Sequence, residues 1–141
     1  MSGLSGIGVK VESGQGLEPE LRGNALPLLH EIRHALARLI EEGETTVIDL
    51  QSLPMGPGDL RRLLDALGEG EVKAELAALG KTVIRESRYS GVWIIEHLSG
   101  SGGVASRFIE VTWVPSILQA QVEDVQKGLT ELADALAPAG N

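Results

Sequence analysis

The five residues His30-Glu31-Ile32-Arg33-His34 are the group whose types and spacing come closest to a catalytic motif. They match the pattern H-E-x-x-H, in which two histidines hold a zinc ion and the glutamate is the general base of a peptidase. Side chains four residues apart share one face of a helix, so His30 and His34 have the spacing that allows both to bind the same metal ion. The pattern therefore raises a small zinc-dependent hydrolase as one candidate function.

A catalytic zinc site needs a third protein ligand, and the sequence offers none at a typical spacing. The remaining histidine, His97, falls near the end of a predicted strand. The second predicted helix contains no glutamate, and Glu123 and Glu131 on the last predicted helix have nothing that recommends them as ligands. Spacing therefore favours a solvated helix face, and we predict no metal, no cofactor and no catalytic residue.

Three further groups of residues have types that could serve chemistry or binding. The glycine-rich run 99–103 links two predicted strands and does not open a helix, so we interpret it as a hairpin loop and not as a phosphate site. Asp49, with Glu69 and Glu71 around Gly70, forms either a carboxylate cluster or a set of solvated loop charges. The two tryptophans fit either the core or a binding platform. As partner-binding residues we predict Glu69, Glu71, Trp93 and Trp113.

The composition limits the classes of function. The chain has 141 residues, of which 43% are hydrophobic, enough for the core of one domain. Its net charge of −8 would repel phosphate backbones and attract a basic partner. The absence of cysteine excludes disulfides, thiolate metal sites and a cysteine nucleophile. Neither a signal peptide nor an apolar run of about 18–20 residues is visible, so we predict a cytoplasmic protein that binds neither nucleic acid nor membrane.

Hydrophobic periodicity indicates the elements that position these residues. Residues 1–22 are rich in Gly, Ser and Glu and predict a flexible lead, in which Ile7–Val11 could add an edge strand. A helix is predicted from the N-cap Asn24 to about Glu42, because apolar residues recur every three or four positions and Gly43 follows. The β-branched run 45–50 then predicts a short strand.

A Pro-Gly turn at 54–58 predicts the start of a second helix, which ends at Gly68. The pattern then changes to a period of two, which predicts strands over Glu71–Ala78, Lys81–Arg88, Gly91–Leu98 and Ala105–Val114. The last helix is predicted to begin at Ser116, which forms a capping-box spacing with Gln119. Its apolar stripe runs from Leu118 to Leu136.

Short links between successive strands imply antiparallel hairpins. We therefore predict an α+β fold of order α-β-α-β-β-β-β-α. It comprises a four-stranded antiparallel meander plus one or two short extra strands, with about three helices packed on the sheet. The predicted domain spans residues 23–137, followed by a tail over 138–141. Residues Val92–Ile95 are apolar on both faces, which predicts either a covered central strand or a surface for a partner.

Several blocks of the sequence, taken together in their order, resemble the HupH/HyaF family of hydrogenase expression proteins. The blocks are NALPLLHEIRHALARLIEEGETTVIDLQSLPMGPGD, LGEGEV, IRESRYSGVWIIEHL and IEVTWVPSIL. The likeness covers about residues 24–133. In many members of that family this region is the C-terminal part of a longer chain, and HEIRH belongs to the first-helix block.

The resemblance implies an accessory, chaperone-like role in the maturation of [NiFe] uptake hydrogenases and not a peptidase activity. It implies a hydrogenase subunit precursor and other maturation factors as partners, and it offers no catalytic residues. The −8 charge favours the small-subunit precursor, whose export signal carries a basic segment. The apolar residues Val92–Ile95 add a homodimer as a further expectation.

Overall fold

The computed structural model describes residues 23–77 and 80–139. Three α-helices and five strands follow one another in this part of the chain, with short 3-10 turns at Leu50–Ser52 and Ser116–Leu118. The helices are α1 (Ala25–Glu42), α2 (Asp59–Leu67) and α3 (Val122–Leu136), and the strands are β1 (Thr46–Asp49), β2 (Lys73–Leu76), β3 (Lys81–Glu86), β4 (Val92–Leu98) and β5 (Val104–Val111). The predicted lead 1–22, with the strand at Ile7–Val11, lies outside the described residues. None of the helices in the described ranges is long and apolar enough to cross a membrane.

The five strands form one antiparallel sheet in the order β1-β5-β4-β3-β2. Strands β2 to β5 are the predicted four-stranded meander, and β1 is the extra strand, which pairs with β5. The predicted α+β fold class and element order are confirmed. Strand β4 lies in the middle of the sheet, and Val92–Ile95 are buried. This central position explains why the four residues are apolar on both faces.

One face of the sheet is covered by α1 and α2. Helix α1 presents Leu28, Ile32, Ala35 and Leu39 to the sheet, at the three- and four-residue steps that place side chains on one side of a helix. The central strands meet this stripe with alternate residues, as the two-residue period of a strand requires. The core residues of this face are Ala25, Leu28, Ile32, Ala35, Leu39, Ile48, Leu50, Leu63, Leu67, Val92, Ile94, Ile109 and Val111.

The other face has a smaller apolar cluster built on Ile84, Trp93 and Ile95. These three residues come from β3 and β4 and are buried, with Ala74, Leu76, Phe108 and Leu118 packed around them as partly buried neighbours. Leu118 belongs to the 3-10 turn that follows β5, so a short turn, and not a helix, packs against this cluster.

The last helix differs from its prediction in start and packing. Ser116 begins a 3-10 turn and not the helix, which starts at Val122. The Gln119 side chain donates to the carbonyl of Val114 at 3.0 Å and therefore caps the preceding turn. The apolar stripe of α3 is exposed, although the pattern predicts that it packs on the sheet. A hydrophobic period of 3.6 residues predicts that one side of a helix is apolar and needs to be buried, but it does not identify the surface that buries it.

Gly70 provides a test of the junction between α2 and β2. Its N–H donates to the carbonyl of Glu86 at 2.8 Å, and a Cβ at this position would overlap the carbonyl oxygen of Ser87. We expect Gly70→Ala to lower the free energy of unfolding by about 1–3 kcal/mol, because the backbone must shift to admit the methyl group. Gly100→Ala is the matched control, since a Cβ there meets no atom within 4 Å. Equal denaturant midpoints for the two variants would contradict this account.

Candidate functional site

The two histidines of the H-E-x-x-H pattern lie on the exposed side of α1. One Nη2 atom of Arg33 is 3.4 Å from Nδ1 of His30 and 3.4 Å from Nε2 of His34. The helix therefore brings the imidazoles to one place, as their spacing predicts. A guanidinium is charged at every physiological pH, so it opposes a metal ion at this position by electrostatic repulsion.

The other candidate ligands lie elsewhere. His97 is on β4, where its Nδ1 shares a hydrogen bond of 2.8 Å with the Thr82 hydroxyl and its ring meets the edge of Phe108. Glu123 and Glu131 are exposed on α3. Within residues 23–77 and 80–139, no group of three or more His, Cys, Asp or Glu side chains is arranged to hold a metal ion.

The glycine-rich run 99–103 forms the hairpin loop between β4 and β5. The N–H of Ser99 donates to the carbonyl of Gly103 at 2.7 Å, and the N–H of Gly102 donates to the carbonyl of Ser99 at 2.9 Å. The loop closes on itself through these bonds, and a strand follows it. It therefore has the conformation of a hairpin loop and not that of a phosphate-binding loop.

A buried carboxylate that the sequence did not single out lies at the start of α2. Asp59 accepts a hydrogen bond from the Gly56 N–H at 2.6 Å and another from Arg62 at 3.1 Å. The backbone N–H of Asn24 also donates to it. The Asn24 side chain, predicted as a helix cap, makes no cap bond and donates instead to the carbonyl of Pro54. These contacts join the start of α1 to the turn before α2.

The environment of Asp59 favours its charged form. The N–H of Gly56 is the main cause that lowers the pKa of this carboxyl below the ordinary value of 3.8, and the N–H of Asn24 is the second. Burial acts in the opposite direction, and Arg62 adds to the lowering. A carboxylate whose pKa is lowered by backbone donors stays ionised near neutral pH and is a poor general acid there, which fits a structural role for Asp59.

Three side chains lie next to one another on the sheet face away from α1 and α2. Glu86 of β3 is opposite Trp93 of β4, which in turn is opposite Glu110 of β5. Opposite residues of antiparallel strands are about 5 Å apart and share a face. Trp93 is 6% exposed, and its indole N–H donates to the carbonyl of Thr112 at 3.1 Å. Burial raises the pKa of the Glu110 carboxyl.

Two more exposed carboxylates stand next to Gly70 in the sequence, before β2. Glu69 and Glu71 flank Gly70, which bonds to the Glu86 backbone and lies against the Glu86 side chain. We call the four residues Glu69, Glu71, Glu86 and Glu110 the acidic corner. None of the four forms an ion pair with another residue of the described ranges.

Trp113 follows Thr112 at the end of β5 and is 64% exposed. Of the four predicted partner-binding residues, the structure therefore exposes Glu69, Glu71 and Trp113 and buries Trp93. The prediction omitted Glu86 and Glu110. The sequence shows the alternation of side chains along the strands that contain Glu86 and Glu110, but only the register of β3, β4 and β5 places these two residues on either side of Trp93.

Comparison with known proteins shows which family this sequence and fold resemble. Residues 23–138 match the family model described as HupH hydrogenase expression protein, C-terminal conserved region. A solved structure of the hydrogenase expression protein HupH from Thiobacillus denitrificans ATCC 25259 is 42% identical, with a TM-score of 0.75, over 80% of this chain and 94% of that one. The chain belongs to the HupH family of hydrogenase expression proteins.

The curated relatives are longer than this chain. Hydrogenase expression/formation protein HoxQ of Azotobacter vinelandii is 31% identical over 118 residues, which are 80% of this chain and 42% of the relative. Hydrogenase expression/formation protein HupH of Rhizobium leguminosarum bv. viciae is 28% identical over 127 residues, or 90% of this chain and 45% of the relative. The chain thus spans less than half the length of these relatives.

The Asp59 contacts generate a stability prediction with a defined pH dependence. Because the folded pKa is lowered, the charged group stabilises the fold fully above its unfolded value of 3.8, and this contribution disappears as the pH falls through the folded pKa. We expect Asp59→Asn to melt at a lower temperature than the unchanged chain at pH 7, and we expect the difference to shrink below pH 3.8. Asp65→Asn, at an exposed position of the same helix, is the control and should melt like the unchanged chain. A melting difference that does not vary with pH would contradict the role of charge.

The Arg33 contacts generate a prediction about metal. We expect protein purified without chelators to contain substoichiometric zinc, because a guanidinium lies beside both imidazoles. His34→Ala should leave the metal content unchanged, as measured by elemental analysis, and His97→Ala provides the control. Stoichiometric zinc that is lost only in the His34 variant would restore the hydrolase hypothesis.

Proposed function

We propose that the chain acts in hydrogenase maturation as a chaperone-like accessory protein that binds a hydrogenase subunit precursor. Membership of the HupH family supports the maturation role, because the curated relatives are named hydrogenase expression/formation proteins. The proposal that a precursor is bound rests on one observation: the acidic corner forms no ion pair within the described residues, and Trp113, three positions after Glu110 in the sequence, is exposed.

The chemistry of this surface fits a basic segment with apolar neighbours. Four carboxylates without cationic partners among the described residues would attract lysine or arginine, each exposed pair contributing about 0.2–1 kcal/mol. An exposed tryptophan supplies apolar contact area, and tryptophan is enriched among residues that dominate binding energy. A basic stretch next to apolar residues is the chemistry of an export signal, so the small-subunit precursor is the favoured client.

Glu110 strengthens the case for a cationic ligand at this surface. Burial raises the pKa of its carboxyl, which means that the ionised form is poorly hydrated there. A cation that approaches such a group replaces missing hydration, so the pair gains more than a pair between fully solvated charges. Because an export signal is still attached before translocation, we place this binding step in the cytoplasm, with other maturation factors as further partners.

The client proposal is tested by reversing two charges of the corner. We expect Glu69→Lys/Glu71→Lys to weaken binding of purified small-subunit precursor by about 2 kcal/mol, a roughly thirtyfold loss, because two attractive pairs become repulsive. Binding is measured by titration at several salt concentrations, with the precursor intact and with its signal segment removed. Affinity for the intact precursor should fall as salt rises.

The control variant is Glu41→Lys/Glu42→Lys, which changes the net charge equally at exposed positions of α1. It should bind the precursor more tightly than the corner variant does. Trp113→Ala should weaken binding at every salt concentration, since its contribution is apolar. Equal losses for the two double variants would show that only net charge matters, and unchanged binding without the signal segment would refute the choice of ligand.

A further inference from the structure

Helix α3 carries an apolar stripe that touches none of the core described above. Its members, each between 56% and 75% exposed, are Val122, Val125, Leu129, Leu132 and Leu136. All fifteen residues of the helix are exposed. Large apolar side chains aligned on one side of a helix are a poor surface to leave in water, because each buried side chain of this size contributes about 1.5–3 kcal/mol.

The helix also lacks intrinsic stability. Isolated helices of about 12–15 residues are marginal in water, and α3 has fifteen residues. Gly128 near its middle costs roughly 1 kcal/mol more than alanine would. Acidic residues in its first turn help, but they add only a few tenths of a kcal/mol to about 1 kcal/mol. A helix of this composition needs a partner surface along its stripe.

The spacing of the stripe indicates what kind of surface that is. The five residues follow one another at steps of three, four, three and four, which is the a/d pattern of a coiled coil. The flanking e and g positions are small or uncharged, namely Gln126, Gly128, Ala133 and Ala135. A helix that packs on a sheet has a wider apolar face, whereas large apolar side chains confined to a and d, with small residues beside them, form a seam that suits pairing with another helix.

The charges of α3 indicate the partner. Its charged side chains, Glu123, Asp124, Lys127, Glu131 and Asp134, all occupy b, c and f positions, away from the seam. Two copies of a chain with net charge −8 repel each other, so their contact must avoid charge. The seam is the one long surface of α3 that meets this condition, and it is complementary to itself.

We propose that α3 pairs with the same helix of a second copy of this chain through the seam formed by Val122, Val125, Leu129, Leu132 and Leu136. The pairing extends over about 22 Å of helix. Val114 and Ile117, which precede the helix in the sequence, are also exposed apolar residues.

The proposal is tested by placing a charge in the seam of the full chain. We expect sedimentation to show a dimer for the unchanged chain and a folded monomer for Leu129→Glu, with a dissociation constant raised at least about 100-fold. Thr130→Glu adds the same charge to the next residue, on the far side of the helix, and should remain a dimer. Circular dichroism with thermal melting checks that the sheet domain of each variant stays folded.

Mixing distinguishes pairing of like helices from docking on another surface. Leu129→Glu and Leu129→Lys should each be monomeric alone and should form a one-to-one heterodimer when mixed, because opposite charges then meet across the seam. A monomeric unchanged chain would overturn the proposal, as would a dimer that survives Leu129→Glu. Two monomeric variants that do not associate on mixing would also overturn it, because the stripe would then dock on a different surface.

Discussion

The relative placement of α1 and α2 depends on one buried carboxylate. Asp59 accepts hydrogen bonds from the backbone of Asn24 and Gly56 and from the side chain of Arg62, so the start of α1 and the turn before α2 meet at one charge. Gly23 and Gly56 lie so close to this carboxylate that neither position has room for a Cβ without a shift. A buried charge that loses its donors is strongly destabilising. The residues around Asn24 and Gly56 thus have a structural role, because they connect the start of α1 to the turn before α2.

The spacing of hydrophobic residues along the sequence was sufficient to predict the fold class. Helix α1 and the strands of the meander have strong periods and clear stops, such as the left-handed Gly43 after α1. The errors arose where a local signal competes with a distant partner. Asparagine is a common residue at helix N-caps, but the Asn24 side chain donates a hydrogen bond to the carbonyl of Pro54, thirty residues away. Ser116 has a capping-box spacing, but Gln119 bonds back to Val114. No local pattern contains these pairings.

Only part of the candidate site could be predicted, because some of its residues are placed by local position and others by the register of the sheet. Glu69, Glu71 and Trp113 stand at the ends of elements, where exposure follows from position. Trp93 lies in the middle strand, and its burial depends on the residues that pack around it on that face, which periodicity does not identify. Glu86 and Glu110 join the site only through the register of β3, β4 and β5. A single shift of one residue in that register would move them to the other face.

The two proposed surfaces differ in their physical basis, and this difference lets one chain use both. Salt screens the attraction of the acidic corner for a basic segment, since the Debye length is about 8 Å at physiological ionic strength. The seam of α3 has no charge, and burial of apolar side chains does not depend on that attraction. Salt also weakens the repulsion between two chains of net charge −8. The same increase in salt should therefore loosen a client at the corner and tighten a dimer at the seam, so the two contacts are separable in one titration.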